Sequence, residues 1–232
     1  MAGHSHWAQI KHKKAIIDAK RSQLISKLIR SITIAAKEGN NPEINYKLRA
    51  AIERAKEFQV SLDTIEKAIK KGESKENNLE EIIFEAYLGD VQLLIKTITD
   101  NKNRTIGDLR HLLNRFGGRL AEPGSVIWNF QEKGTIIIDK QYEDKIIDFV
   151  DLIEDIKIKN NNLLLITKVS NLHNLKNKLE SQNIPILDSF IDFIPINTIE
   201  ILDENLKSKI KDLIEELLNL DDVDEVFLNI KE

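Results

Sequence analysis

Apolar residues in the first third of the chain recur at steps of three and four positions, which is the spacing of one face of an α-helix. In the longest run, Ile17, Leu24, Leu28 and Ile32 share such a face. The spacing predicts helices over 13–37, 45–58 and 61–72. Each helix is amphipathic and the connections are short, so this segment is predicted to form a small three-helix bundle.

Beyond a hydrophilic linker at 73–78, apolar and polar residues alternate, which is typical of β-strands. Strands are predicted at 82–87 and 91–99, and Thr105 with Asp108 predicts a capping box that opens the next helix. The remaining predicted elements are strands at 126–130, 135–138, 163–167, 198–202 and 226–230, helices at 146–153, 172–179 and 203–220, and an extended run at 185–195. This order predicts an α+β multidomain protein in which two small α/β sandwich domains follow the amino-terminal three-helix domain.

Charge is divided unevenly along the chain. The net charge of −4 combines +8 over residues 1–72, −2 over 73–133 and −10 over 134–232. All eight arginines lie in the first 119 residues, and the planar guanidinium matches phosphate geometry better than the point charge of lysine does. The asymmetry predicts that a polyanionic partner binds the amino-terminal part.

Basic residues are concentrated before Glu38, where Asp18 is the sole acidic residue. A cationic stripe opposite the apolar helix face would hold a phosphate backbone, and Trp7 beside histidines could stack on a base. The proposed contacts in this segment are His4, Trp7, Lys11, His12, Lys13, Lys14, Lys20, Arg21, Lys27 and Arg30. The alternative is a solvated helix face in a lysine-rich protein.

A second candidate site joins a predicted strand to a predicted helix. It is the segment Asp100 to Thr105, in which the proposed contacts are Asn101, Lys102, Asn103 and Arg104. Free backbone N–H groups at the start of a helix, next to two cationic side chains, form an anion site. The alternative is that the asparagine and threonine side chains here only cap the helix.

Other chemistries find little support in the residues. The chain has no cysteine, His4 and His6 lack nearby ligand partners, and the acidic clusters at 151–155 and 221–225 are expected to be solvated ends of elements, so no metal site is predicted. No nucleophile elbow, phosphate-binding glycine loop or dinucleotide fingerprint is present, so neither catalysis nor a cofactor is predicted. No apolar run is long enough for a membrane span and no secretory signal is apparent, so a cytoplasmic protein is expected.

Several stretches together resemble the YebC/PmpR family. They include the first 14 residues, Asp18-Ala-Lys-Arg21, Leu48-Arg-Ala-Ala-Ile, Ile65 to Gly72, Thr99-Asp-Asn-Lys-Asn-Arg-Thr105, Asn114-Arg-Phe-Gly-Gly118, Gly124-Ser-Val and Trp128-Asn-Phe. The match is dense to about residue 134 and follows the layout of the family thereafter. Three positions depart from the pattern: His6 replaces a usual lysine, Leu88-Gly89-Asp90 is a shortened turn, and Val60-Ser61 replaces a methionine-proline pair.

The resemblance implies three domains: a basic helical domain over 1–75, a middle α/β domain over 76–133 plus 196–232, and an α/β domain over 134–195 inserted into the middle one. It also implies that Asp100 belongs to the loop site. Family members are described as DNA-binding transcriptional regulators or as ribosome-associated translation factors.

These observations lead to a functional hypothesis with two alternatives. The leading hypothesis is a non-enzymatic regulator of gene expression that acts as a translation factor on the ribosome and contacts ribosomal RNA, because no helix carries a dense set of base-reading residues. The first alternative is a DNA-binding transcriptional regulator. The second is a protein-interaction module that acts through the acidic α/β domains. None of these hypotheses includes a small-molecule substrate.

Overall fold

The structure is a computed structural model that describes residues 17–74 and 77–231, with side chains from Arg21 onward. It contains two compact units. One comprises the described residues up to Asn129 together with those from Asn197, and the other is Phe130–Ile196. In sequence, the second unit is therefore inserted between the two segments of the first unit. A separate helical domain over 1–75 stays a prediction.

The helical part of the first unit consists of α1 (Ile17–Ala35), a 3-10 turn, α2 (Tyr46–Glu57) and α3 (Leu62–Glu73). Asn45 caps α2 through Leu48 N, and Ser61 caps α3 through Thr64 N. The apolar faces form one core that includes Leu28, Ile32, Leu48, Ala55 and Ile65. The predicted bundle is confirmed in its elements.

Gly72 serves packing rather than helix termination. It lies inside α3 and is buried, whereas the sequence predicted that it ends the helix. A Cβ atom at this position would lie 2.5 Å from Thr33 O and 2.6 Å from Ala36 Cβ. The missing side chain therefore allows α3 to approach α1 closely.

The sheet of the first unit contains β1 (Glu80–Leu88), β2 (Val91–Thr99), β3 (Arg119–Leu120) and β8 (Val223–Leu228) in the order β3-β1-β2-β8. All of its strand pairs are antiparallel. The helices α4 (Lys102–Arg115) and α6 (Glu204–Asn219) complete its core, with Leu93, Leu109 and Leu213 fully buried. The strand predicted at 198–202 is wrong, because only Ile199 makes a bridge there, to Ile230.

The second unit has its own four-stranded antiparallel sheet, in the order β5-β6-β4-β7. Its elements are β4 (Phe130–Asp139), a 3-10 helix (Lys140–Leu152), β5 (Asp155–Lys159), β6 (Asn162–Thr167), a 3-10 turn (Val169–Asn171), α5 (Leu172–Ser181) and β7 (Ile186–Pro195). Two predictions are wrong here. The helix expected at 146–153 is 3-10, and β5 was not foreseen because its residues are largely exposed.

The predicted fold class is confirmed: amino-terminal helices precede two four-stranded antiparallel sheets with helices. Residues 126–130 do not form one strand, because Ile127–Asn129 is a 3-10 turn before β4. Within the residues that the structure describes, no helix is long and apolar enough to cross a membrane.

Candidate nucleic-acid interface

The structure locates only part of the predicted binding set. His4, Trp7, Lys11, His12, Lys13 and Lys14 lie outside the described residues, and so does the side chain of Lys20. Arg21, Lys27 and Arg30 lie on α1, and Asn101 to Arg104 form the start of α4. Lys27 and Arg30 on α1 and Arg104 on α4 contact an acidic segment, residues 221–225, which includes the start of β8.

Lys27 does not contribute to a cationic surface. Its side chain is buried, and its ammonium donates hydrogen bonds to Leu218 O at 2.6 Å and Val223 O at 2.7 Å. Burial lowers the pKa of Lys27 to about 8, against the attraction of nearby carboxylates led by Asp224. We therefore correct the sequence-based assignment and remove Lys27 from the proposed phosphate contacts.

Arg30 is also engaged inside the molecule. One guanidinium nitrogen donates to Asp222 Oδ1 at 3.0 Å and to Asp221 O at 3.1 Å. Its side chain is 31% exposed, so a phosphate could reach it only in competition with Asp222. The predicted stripe of cations on α1 is thus split, since Lys27 and Arg30 face the chain itself.

Asp222 holds the predicted loop site against α1. Arg104 donates to both of its carboxylate oxygens, at 2.8 and 3.0 Å, and the hydroxyls of Thr99 and Thr105 donate to Oδ2 at 3.1 and 2.9 Å. Burial alone would raise the pKa of Asp222, but the hydrogen bonds, led by that from Arg104, outweigh it and lower the pKa. The expectation that acidic residues at 221–225 are solvated is therefore wrong for Asp222, which is buried.

The next carboxylates extend this network towards α2. Glu225 is buried and pairs with Arg54 at 3.5 Å and with Lys96 at 3.6 Å. Burial would lower the pKa of Lys96, but Glu225 and Asp224 outweigh it and raise that pKa above its ordinary value. Burial raises the pKa of Glu225 against the attraction of Lys96. Sequence reasoning missed these pairs, although the run Asp-Asp-Val-Asp-Glu before an apolar strand is a signal that could have suggested buried charge.

The loop site keeps part of its predicted character. Asn101 is the helix cap, with its side chain accepting from Arg104 N at 3.1 Å, so the capping box predicted at Thr105 and Asp108 is wrong. The first turn of α4 leaves the N–H groups of Lys102 and Asn103 without an intrahelical acceptor, and both side chains are exposed. Arg104 remains 46% exposed beside them.

A polar cleft of about 490 Å³ opens at this loop. It is lined by Lys37, Asn77, Asn78, Glu80, Thr99, Asp100, Asn101, Lys102 and Asn103. Lys37, in the 3-10 turn that follows α1, donates to Leu79 O at 2.6 Å. The cleft combines two lysines, two carboxylates (Glu80 and Asp100) and amide side chains with the amino-terminal end of a helix, so the lysines and the helix end are the groups that could hold a phosphate.

No built metal centre accompanies the cleft. Within 17–74 and 77–231, no group of three or more histidine, aspartate or glutamate side chains is placed to hold a metal ion. The carboxylates that come closest together are occupied by arginines, lysines and hydroxyls. The arrangement suits binding of an anion.

Comparison with known proteins identifies the family. The model of the TACO1/YebC N-terminal domain matches residues 5–75, and the model of the TACO1/YebC second and third domain matches residues 79–230. A probable transcriptional regulatory protein of Natranaerobius thermophilus is 43% identical, covering 99% of this chain and 96% of that protein. One from Thermotoga maritima is 42% identical, covering 100% of this chain and 94% of that protein.

A solved structure agrees with this assignment. The crystal structure of a conserved hypothetical protein from Aquifex aeolicus superposes with a TM-score of 0.85 at 39% identity, covering 98% of this chain and 97% of that one. The relatives from Natranaerobius thermophilus and Thermotoga maritima are both called probable transcriptional regulatory proteins. The resemblance noted in the sequence is confirmed, and the chain belongs to the YebC/TACO1 family.

Proposed function

We propose that this protein is a non-enzymatic, nucleic-acid-binding regulator of gene expression that holds a phosphate backbone with its basic amino-terminal segment and the α4 loop. The observation that carries the proposal is the cleft at Asn101–Asn103, where Lys37 and Lys102 flank the free N–H groups of a helix start. The charge of +8 over residues 1–72 adds a sequence-independent attraction.

The surface that binds phosphate differs from the one the sequence suggested. Lys27, Arg30 and Arg54 are engaged with carbonyls and buried carboxylates of the same chain. The proposed contacts are then Arg21 and Lys102, which are exposed, Lys37 of the cleft, and the cations before Ile17, which lie outside the described residues. The internal pairs fix the helical part beside the α4 loop, and the remaining cations supply the contacts.

Both DNA and RNA are candidate targets. The relatives' name, probable transcriptional regulatory protein, supports DNA as the target. The scarcity of base-reading side chains on α1 supports a structural RNA such as ribosomal RNA, with the protein acting as a translation factor in the cytoplasm. We favour the RNA target on this chemical ground. Cross-linking in cells distinguishes a DNA target from an RNA target. Recovery of promoter DNA without ribosomal RNA would contradict the RNA target.

Charge reversal tests the binding surface. Changing Lys13, Lys14, Lys20 and Arg21 together to glutamate should weaken binding and flatten its dependence on salt, since about 0.9 log units per log of salt are lost for each phosphate contact removed. Lys102→Glu should weaken it further. Lys102 is exposed and makes none of the contacts of the internal network described above, so Lys102→Glu should change the free energy of unfolding little.

A matched control uses the second unit. Lys145, Lys157, Lys168 and Lys178 are all exposed, and changing them to glutamate alters the net charge equally. If both quadruple variants lose the same affinity, net charge and not a defined surface governs binding. If neither loses affinity, the acidic α/β domains acting as a protein-interaction module become the better explanation.

A further inference from the structure

The loop that follows β3 presents an aromatic side chain to solvent. Trp128 is 58% exposed. Its indole N–H donates to Ser125 O at 2.8 Å, and the hydroxyl of Tyr87 donates to the same oxygen at 2.8 Å. Two aromatic side chains, one from β1 and one from the loop, are thereby fixed to a single carbonyl group.

The buried carboxylate of Glu85 also holds this loop in place. Glu85 is 7% exposed, and its side chain accepts hydrogen bonds from the backbone N–H groups of Gly124, Val126 and Ile127. The backbone of Glu85 also accepts from Ala121 N at 2.8 Å. Since these bonds hold the loop before any ligand arrives, a ligand on Trp128 would bind with little additional ordering.

A cation lies next to these rings. Arg119 of β3 is exposed, and its Cζ lies 5.2 Å from the centre of the Tyr87 ring. None of the carboxylates in 17–74 and 77–231 forms an ion pair with it. Its charge is therefore available to an anion that approaches the aromatic pair.

We infer that Trp128 presents a stacking face for a base of single-stranded nucleic acid, with Arg119, which lies over the Tyr87 ring, on a neighbouring phosphate. The indole N–H is already satisfied within the loop, so its ring face is what remains for recognition. A base stacks on such a face without regard to sequence, and the adjacent arginine contacts the backbone. This inference rests on the proposed function and adds to it a preference for unpaired strands.

The experiment uses the full chain with Trp7→Phe, which leaves Trp128 as its single tryptophan. Trp128 emission is followed while an oligouridylate, an oligodeoxyuridylate of the same length, a duplex or inorganic polyphosphate is added. We expect quenching by the single strands and none by polyphosphate. A difference between the two single strands distinguishes RNA from DNA as the source of the base.

Affinity for labelled strands is measured on variants of the same chain. Trp128→Ala should weaken binding of single strands roughly 5- to 100-fold, and Trp128→Phe should weaken it less. Arg119→Glu should weaken binding of single strands and polyphosphate alike. Leu202→Ala is the matched control, because Leu202 is an apolar side chain of the same unit that is 80% exposed, and we expect it to leave affinity unchanged.

The possible failures are distinguishable. If single strands bind but Trp128 emission stays constant and Trp128→Ala binds as tightly as its parent, the inference is overturned, and an apolar protein partner becomes the occupant of the surface. If no nucleic acid binds the full chain without any substitution, even at low salt, the proposed function itself fails.

Discussion

Asp222 joins three parts of the first unit, so its replacement offers a sharp test of the internal charge network. Its carboxylate accepts from Arg30 on α1, from Arg104 on α4 and from the hydroxyls of Thr99 and Thr105. Asp222→Asn keeps the shape of the side chain but removes the charge and one acceptor oxygen. Arg30 then loses its carboxylate partner, and Arg104 keeps only that of Asp100, at 2.9 Å.

The expected loss of stability depends on how far the charged side chains are buried. Removing one partner of a fully buried ion pair costs about 3–5 kcal/mol. Here the arginine side chains are 31% and 46% exposed, so solvent recovers part of that loss. We expect Asp222→Asn to lower the free energy of unfolding by about 2 kcal/mol, and Asp222→Ala by about 3 kcal/mol because the threonine hydroxyls also lose their acceptor.

Urea unfolding followed by tryptophan emission is the appropriate assay. Trp128 precedes Phe130, where the second unit begins, so its emission in a Trp7→Phe background reports on the first unit. Asp63→Asn is the matched control. Asp63 pairs with Lys67 at 2.6 Å while both side chains are more than 70% exposed, and its loss should cost no more than about 1 kcal/mol.

A double-mutant cycle makes the test specific. Arg104→Met in the Asp222→Asn background should cost less than Arg104→Met alone, since the pair is already broken, so the two costs should not add. Equal effects of Asp222→Asn and Asp63→Asn, together with zero coupling, would refute the reasoning that this corner is held by buried charge.

Three further predictions follow from the described contacts. The pKa of Lys27 is lowered to about 8 in the folded chain, so the unfolded chain binds more protons between pH 8 and about 10.4. The free energy of unfolding should therefore rise by about 2 kcal/mol between pH 7 and 10. Urea titrations of Lys27→Met should not show this rise. The lowered pKa of Asp222 gives stability that is present above about pH 4 and lost as pH falls through the folded pKa, so Asp222→Asn should flatten the acid limb of a pH series of melting curves. Gly72→Ala should cost about 1–3 kcal/mol because the added Cβ meets Thr33 O, whereas Gly107→Ala in α4 meets nothing within 4 Å and should be neutral or stabilising in thermal melts.

Local pattern was sufficient for much of the fold. The apolar spacing of α1, α2 and α3 and the alternation of β1 and β2 predicted these elements to within a few residues, because each element buries one face and shows its period in the sequence. The same reasoning failed for β5, whose residues are mostly exposed, and for Ile127–Asn129, where two exposed apolar residues imitate a strand.

The candidate site shows where local reasoning stops. The sequence by itself determined that cations gather before Glu38 and that Asn101–Arg104 opens a helix. Only the tertiary structure decided which cations remain available, because β8 brings Asp222 and Glu225 from the far end of the chain against Arg30, Arg54 and Arg104. Charge counts add over sequence, whereas electrostatic neutralisation depends on distances of a few ångströms between residues remote in the chain.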